Sequence, residues 1–181
     1  MRWHNGPVSI TIAHLREHLT AYLHRWPESE CEVRPLLDLD SPSGFDRSTV
    51  PGHVTASAIV LNAADEVLLI HHRALDRWFQ PGGHLEPGDE SLPAAARREA
   101  VEETGLGALE LLDPAPIHID VHPIPANPRK GEAAHDHYDV RYLFRAAGTD
   151  LTPAAAEVHA AEWRPVGDLD SDDLIARLKS Y

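Results

Sequence analysis

Between Arg98 and Gly105 the chain reads Arg-Glu-Ala-Val-Glu-Glu-Thr-Gly, setting the carboxylates Glu99, Glu102 and Glu103 at spacings i, i+3 and i+4. On a helix of 3.6 residues per turn these positions are neighbours on one face. Like charges so placed repel and weaken the helix, so the pattern calls for a compensating charge. A hard divalent cation, which takes oxygen ligands and often serves phosphate-bearing substrates, supplies it. The plainer reading of the same string is a solvated acidic helix with an Arg98–Glu102 pair.

Flanking residues favour the cation. Asp89, Glu90 and Ser91 offer N-capping side chains and negative charge at the positive end of a helix. Pro93 suits a first turn, where its missing N–H would lack a partner anyway. Ala94, Ala95, Ala96 and Ala100 form helix readily and let it sit close to a sheet. Gly105 suits a left-handed terminal cap. Pro81-Gly82-Gly83 precedes the helix, and glycines there let backbone approach a ligand or ion. Turn, cap and terminator thus share one frame.

The stretch from Gly82 to Leu106 resembles the Nudix box, the signature of the Nudix hydrolase superfamily, written GX5EX7REUXEEXGU with U a bulky aliphatic residue. Arg98-Glu99-x-x-Glu102-Glu103-x-Gly105-Leu106 matches in order and spacing, and seven residues separate Glu90 from Arg98. Two positions depart from the pattern. Six residues rather than five separate Gly83 from Glu90, as if Asp89 were inserted, and Ala100 stands where a larger aliphatic is usual.

The resemblance implies an α/β chain with the Nudix fold, a mixed β-sheet sandwiched between α-helices, the box forming loop–helix–loop. It implies a hydrolase that cleaves a diphosphate linkage in a nucleotide or nucleoside diphosphate derivative, with Mg²⁺ or Mn²⁺ as cofactor. Glu99, Glu102 and Glu103 become the expected metal ligands and catalytic carboxylates, joined by the Gly82 carbonyl. Arg98 is expected to fix the carboxylates and Glu90 to stabilise the loop–helix junction. The family often supplies a further acid ahead of a late strand; Glu157, before Trp163, fits that place as base or ligand, and Glu86 is a weaker candidate.

Outside the box, the richest polar cluster is His135, Asp136, His137, Tyr138, Asp139 and Arg141, while His118, Asp120 and His122 share one face of a strand. Substrate contacts or surface groups are the first reading of these, and a histidine-rich zinc site the second. Arg73, His84, Tyr138 and Arg141 are the candidate substrate contacts. Trp78 and Tyr142 are aromatic side chains able to stack on a base, with packing as the simpler role.

The elements that must carry these groups follow from periodicity. Leu15, Leu19, Tyr22 and Trp26 predict an amphipathic helix over Thr11 to Arg25, followed by a loop through Gly52. Strands are expected at Val54–Leu61, Glu66–His72, Ile117–Ile124, Tyr138–Ala146 and Glu162–Val166, with a closing helix over Ser171–Lys179. Pro123 to Gly131 reads as a loop. The likeness to the family runs from about His53 to Leu174. Residues 1–52 are therefore expected to form a helical extension packed on the core, and 53–181 the hydrolase domain.

Composition narrows the partners. A formal net charge of −13 argues against binding nucleic-acid duplexes, whose phosphates need a basic surface. It also means that an anionic small-molecule diphosphate needs local help from cations. No apolar run reaches membrane-spanning length, no signal-peptide core opens the chain, and the lone Cys31 fits a reducing compartment, so a cytoplasmic protein is expected. The N-terminal helix leaves a homodimer open. Three competing classes remain: a nucleotide-sensing domain without activity, a metal-free interaction domain, and an isopentenyl-diphosphate isomerase-like enzyme. Retained box carboxylates weigh against the first, and divalent-metal binding that is lost in Glu102→Gln and Glu103→Gln would separate the second from an enzyme. The third needs a cysteine in its proton chemistry, and Cys31 lies ahead of the expected core.

Overall fold

The computed structural model describes residues 9–73, 76–128, 131–156 and 158–181. Its sheet is mixed. Strand β1 (Gly52–Leu61) runs parallel to β7 (His135–Ala146) over ten register pairs, while every other pairing is antiparallel. β2 (Val67–His72) meets β1 only at Leu61 and Val67, then pairs with β3 (Arg77–Phe79) and β8 (Val158–Arg164). β4 (Gly82–His84) takes the free flank of β1 at Thr55–Ser57, and β5 (Leu109–Leu111) and β6 (His118–Ile124) line β7.

Both faces of the sheet are covered. Val54, Ala56, Ala58 and Val60 of β1 join one core cluster with helices α1 (Ile12–Arg25) and α3 (Leu92–Thr104). Ile59 and Leu61 join a second cluster with Leu174 and Leu178 of α4 (Asp172–Leu178). Strict alternation along β1 is what divides them. Helix α1 buries Leu15, Leu19 and Tyr22 in the first cluster, each worth about 1.5–3 kcal/mol of apolar burial. Its His14 also accepts the Leu92 N–H at 3.2 Å, so α1 touches the start of α3 directly.

Helix α3 forms as its sequence dictates. Ser91 caps it through the Ala94 N–H, Pro93 sits in the first turn, and Gly105 ends it at φ 70°. Ala95, Ala96 and Ala100 are buried against the sheet, so the small residue at position 100 is a packing choice. Neither Asp89 nor Glu90 is the cap.

Several elements differ from those expected. The segment after α1 is built of helical turns at Pro27–Glu30 and Pro42–Phe45 and the one-turn helix α2 (Arg34–Leu37), because proline at each first turn presets helical φ. β8 starts at Val158 instead of Glu162. β3, β4 and β5 span three residues each, too few for a periodic signal.

Candidate active site

One face of the sheet changes character along its length. On β1, His53, Thr55 and Ser57 share a face with the apolar Ile59 and Leu61; on β7, His137, Asp139 and Arg141 precede Leu143 on the same face. Register places His53 beside His137 and His122, Thr55 beside Asp139 and Asp120, and Ser57 beside Arg141 and His118. A polar array of nine residues on three strands thus continues an apolar one. It floors a cleft of about 880 Å³ whose walls include Gly82, Gly83, His84, Glu99, Glu102 and Glu103.

The box acids gather around Arg98. Its guanidinium donates to Asp89 Oδ1 at 2.9 Å and Oδ2 at 3.0 Å, to the His84 carbonyl at 3.0 Å, to Glu99 Oε1 at 3.0 Å and to Glu102 Oε2 at 3.1 Å. Each of its five N–H groups has an acceptor, and the bidentate pair to Asp89 gives the fork geometric specificity. Asp89 is 4% exposed, whereas Glu90 points to solvent. The loop–helix junction expected of Glu90 is therefore held by Asp89. The extra residue in the loop moves the acid that meets Arg98 one place toward the N-terminus.

Glu103 is 5% exposed and accepts the Gly82 N–H at 3.1 Å. Glu102 keeps a solvent-exposed side chain. Burial pushes the Glu99 carboxyl up to about 7; Arg98 opposes that rise, and the nearby charges of Glu102 and Glu86 add to it. The lining counts seven carboxylates (Glu86, Glu99, Glu102, Glu103, Asp120, Asp139, Asp170) against the five guanidiniums of Arg47, Arg73, Arg77, Arg98 and Arg141. Oxygen donors in excess of their counter-charges fit a hard divalent cation.

The two glycines have separate reasons. A Cβ on Gly82 would lie 2.1 Å from Ser57 Oγ and 2.8 Å from the Ser57 Cα, and one on Gly83 would lie 2.5 Å from Glu99 Oε1. Gly82→Val therefore has to displace β1 backbone. We expect that variant to lose hydrolysis and most of its soluble yield; full activity and a parental melting curve would remove the close approach from the account.

The remaining expected residues fall in different places. His84 and Arg141 line the cleft, and Arg73 is exposed at its rim. Arg141 is buried and committed, donating to Asp139 Oδ2 at 2.9 Å and Asp120 Oδ2 at 2.8 Å. Tyr138 packs in the core, where its ring meets Gly52. Tyr142 is fully buried with its hydroxyl 3.0 Å from His18 Nδ1, and the Trp78 ring lies under the Arg164 guanidinium. Glu157 lies outside the described residues. Three further residues of the face carry no motif. Thr55 and Ser57 donate to Asp139 Oδ1 at 3.2 and 2.7 Å, and His53 sits fully buried at the end of the array. Their signal was the polar H-x-T-x-S alternation that opens an otherwise apolar strand.

Histidines of this face, and His18 of α1 on the opposite one, resist protonation. Burial, reinforced by neighbouring positive charge, holds His84, His118 and His137 down to about 3 and His18 to about 4. Each stays neutral in the fold but takes a proton near 6.5 in the unfolded chain. Stability from these four is complete above pH 6.5 and is lost as pH falls toward 3, at up to about 1.4 kcal/mol per pH unit for each. Glu99 works oppositely: raised to about 7, it favours the fold most at low pH and loses that contribution between about 4.5 and 7. Four outweigh one, so the urea midpoint is expected to drop between pH 6.5 and 4.5. His137→Gln should make that drop shallower; a midpoint flat over this range would contradict the burial of neutral imidazoles.

Comparison with known proteins places this geometry. A family model described as NUDIX domain matches residues 51–180. A Lactococcus lactis subsp. cremoris (strain MG1363) protein named as a probable DHNTP pyrophosphohydrolase is 34% identical over 135 residues, covering 75% of this chain and 72% of that protein. Two other relatives are matched over only 35% and 28% of their own lengths. Among solved structures, a NUDIX-family hydrolase from Clostridium perfringens superposes with a TM-score of 0.53 at 22% identity, covering 71% of this chain and 95% of that one. The C. elegans Ap4A hydrolase gives 0.52 at 21%, covering 70% and 95%. These structures share the fold.

Proposed function

The chain belongs to the Nudix family and is a Nudix-type hydrolase; from that premise we propose that it cleaves a diphosphate linkage in a nucleotide or nucleoside diphosphate derivative, with Mg²⁺ or Mn²⁺ as cofactor. The observation that carries this reading is the convergence of Glu99, Glu102 and Glu103 on a cleft wall where carboxylates exceed guanidiniums. Those three side chains, with the Gly82 carbonyl, would hold the cation. Once bound, it would neutralise phosphate oxygens and acidify water for attack.

The chain's own groups do the positioning. Arg98 ties Glu99 and Glu102 to the His84 carbonyl and Asp89, so two acids are oriented before any ligand arrives. The Gly82 N–H orients Glu103. Glu99, which the family resemblance places beside the attacking water, is the first candidate among the described residues to orient or deprotonate it. Arg73, Arg77 and Arg47 at the rim supply positive charge for the phosphates, and Ile70 and Phe79 give the cleft an apolar wall against which a base ring can lie. Residues 1–52 act as an extension of the 53–181 hydrolase domain, and exposed Cys31 suits a cytoplasmic location.

The Lactococcus relative's name makes a pterin triphosphate the first substrate class to test. A panel of nucleoside triphosphates, dihydroneopterin triphosphate, dinucleoside polyphosphates and sugar nucleotides, assayed with Mg²⁺ and with Mn²⁺, should yield hydrolysis of at least one class at a P–O–P bridge. Hydrolysis of none above the level of Glu103→Gln would overturn the proposal.

A further inference from the structure

At the far end of the polar face, His53, His84 and His137 each place a ring nitrogen within 4.8 Å of those of the other two. Three strands bring them together. His53 and His137 are register partners between β1 and β7, and His84 on β4 pairs with Thr55, two residues along β1. The carboxylates of the box play no part in this cluster.

The state of one ring is fixed by its partner. His53 Nδ1 lies 3.2 Å from the Thr49 carbonyl, which can only accept, so Nδ1 carries the proton and Nε2 presents a lone pair. His53 is 0% exposed, and that Nε2 is buried with no hydrogen-bond partner among the described residues. A buried acceptor left without a partner destabilises the fold unless something occupies it. His135 is fixed in the same way, Nδ1 toward the Ala133 carbonyl at 2.8 Å, and its Nε2 stands 3.3 Å from His137 Nε2. A ring N–H anchored on a carbonyl, as in His53, is the usual support behind a metal-ligating histidine, because it fixes which nitrogen can bind.

We propose that His53, His84 and His137 form a second metal site, selective for a borderline divalent transition ion such as Zn²⁺ or Co²⁺, with His135 positioning His137. Imidazole donors suit these ions, whereas Mg²⁺ prefers the oxygen donors of the box. Ligand nitrogens on tetrahedral zinc lie about 3.3–3.4 Å apart, so side-chain torsions that draw the rings in by roughly 1–1.5 Å complete the site. His84 and His137 both line the cleft, so an ion held here would be reached from it. Because the His84 carbonyl also accepts from Arg98, an ion here would fasten β1, β4 and β7 next to the fork that orients Glu99 and Glu102. The proposal stands independently of the hydrolysis reading, since its test measures binding alone.

The test uses the tag-free full chain, stripped of metal and held in saturating Mg²⁺, titrated with Co²⁺ and followed by visible absorption. One equivalent should bind with a ligand-field band that Zn²⁺ then abolishes. His84→Gln and His137→Gln, checked for parental circular dichroism, should each weaken Co²⁺ binding by at least about 100-fold. The Glu102→Gln, Glu103→Gln double variant should keep the band. His53→Gln is left aside because so buried a change can block folding. Absence of a Co²⁺ equivalent, binding unaltered in both histidine variants, or a band lost with the glutamates would each overturn the site.

Discussion

Glu103→Gln is expected to lower turnover on a diphosphate substrate by roughly 10²–10³-fold, equivalent to about 3–4 kcal/mol of transition-state stabilisation. The fold should survive. Glutamine keeps the shape of the side chain and an oxygen able to accept the Gly82 N–H, so β4 and α3 stay joined. What disappears is one negative charge at a buried position beside Glu99, where cation binding depends most on charge. Steady-state kinetics paired with a melting curve separate the two effects. Undiminished turnover in a folded variant would reject Glu103 as part of the catalytic machinery.

Asp89→Ala and Glu90→Ala should behave in opposite ways, although the residues are adjacent and alike in charge. Removing Asp89 strips the largely buried Arg98 guanidinium of its bidentate and most buried partner and leaves it only Glu99 and Glu102 as counter-ions. Breaking such a pair costs about 3 kcal/mol, or roughly 6–12 °C in melting temperature for a domain of this size. Activity should fall about 10–100-fold as well, since the fork that aims Glu99 and Glu102 loosens. Glu90→Ala, a surface change away from the fork, should stay within about 0.5 kcal/mol of the parent. Losses at Glu90 with a silent Asp89 would show that the acid demanded by the box pattern, and not the one seen against Arg98, holds the junction.

That contrast also shows where reading the residues succeeded and where it stopped. Helix α3 was legible because cap, proline, alanines and terminal glycine all favour the same local state. The carboxylate face needed only helical spacing. A one-residue change in loop length, however, cannot say which of two neighbouring acids reaches Arg98; the path of the loop between Leu85 and Ser91 decides it. Strands β1, β2, β6 and β7 carried periodic apolar signals, while β3, β4 and β5 are held by tertiary pairing to longer neighbours. The face shared by His53, Thr55 and Ser57 is visible in the alternation of β1. Its union with His137, Asp139 and Arg141 depends on the parallel β1–β7 register, which connects residues more than 80 positions apart and leaves no local trace. Tyr138 and Arg141 show the same limit: strand alternation sends one into the core and the other toward the cleft, where Asp139 and Asp120 already hold it.

The claim on which the rest depends is that the acids of α3 take up a divalent cation. Mn²⁺ titration followed by electron paramagnetic resonance tests it without any substrate. The parent chain should deplete the free Mn²⁺ signal saturably, and Glu102→Gln with Glu103→Gln should weaken that uptake by at least about 100-fold while leaving circular dichroism unchanged. Equal uptake by parent and double variant, or none by either at saturating Mn²⁺, would contradict it.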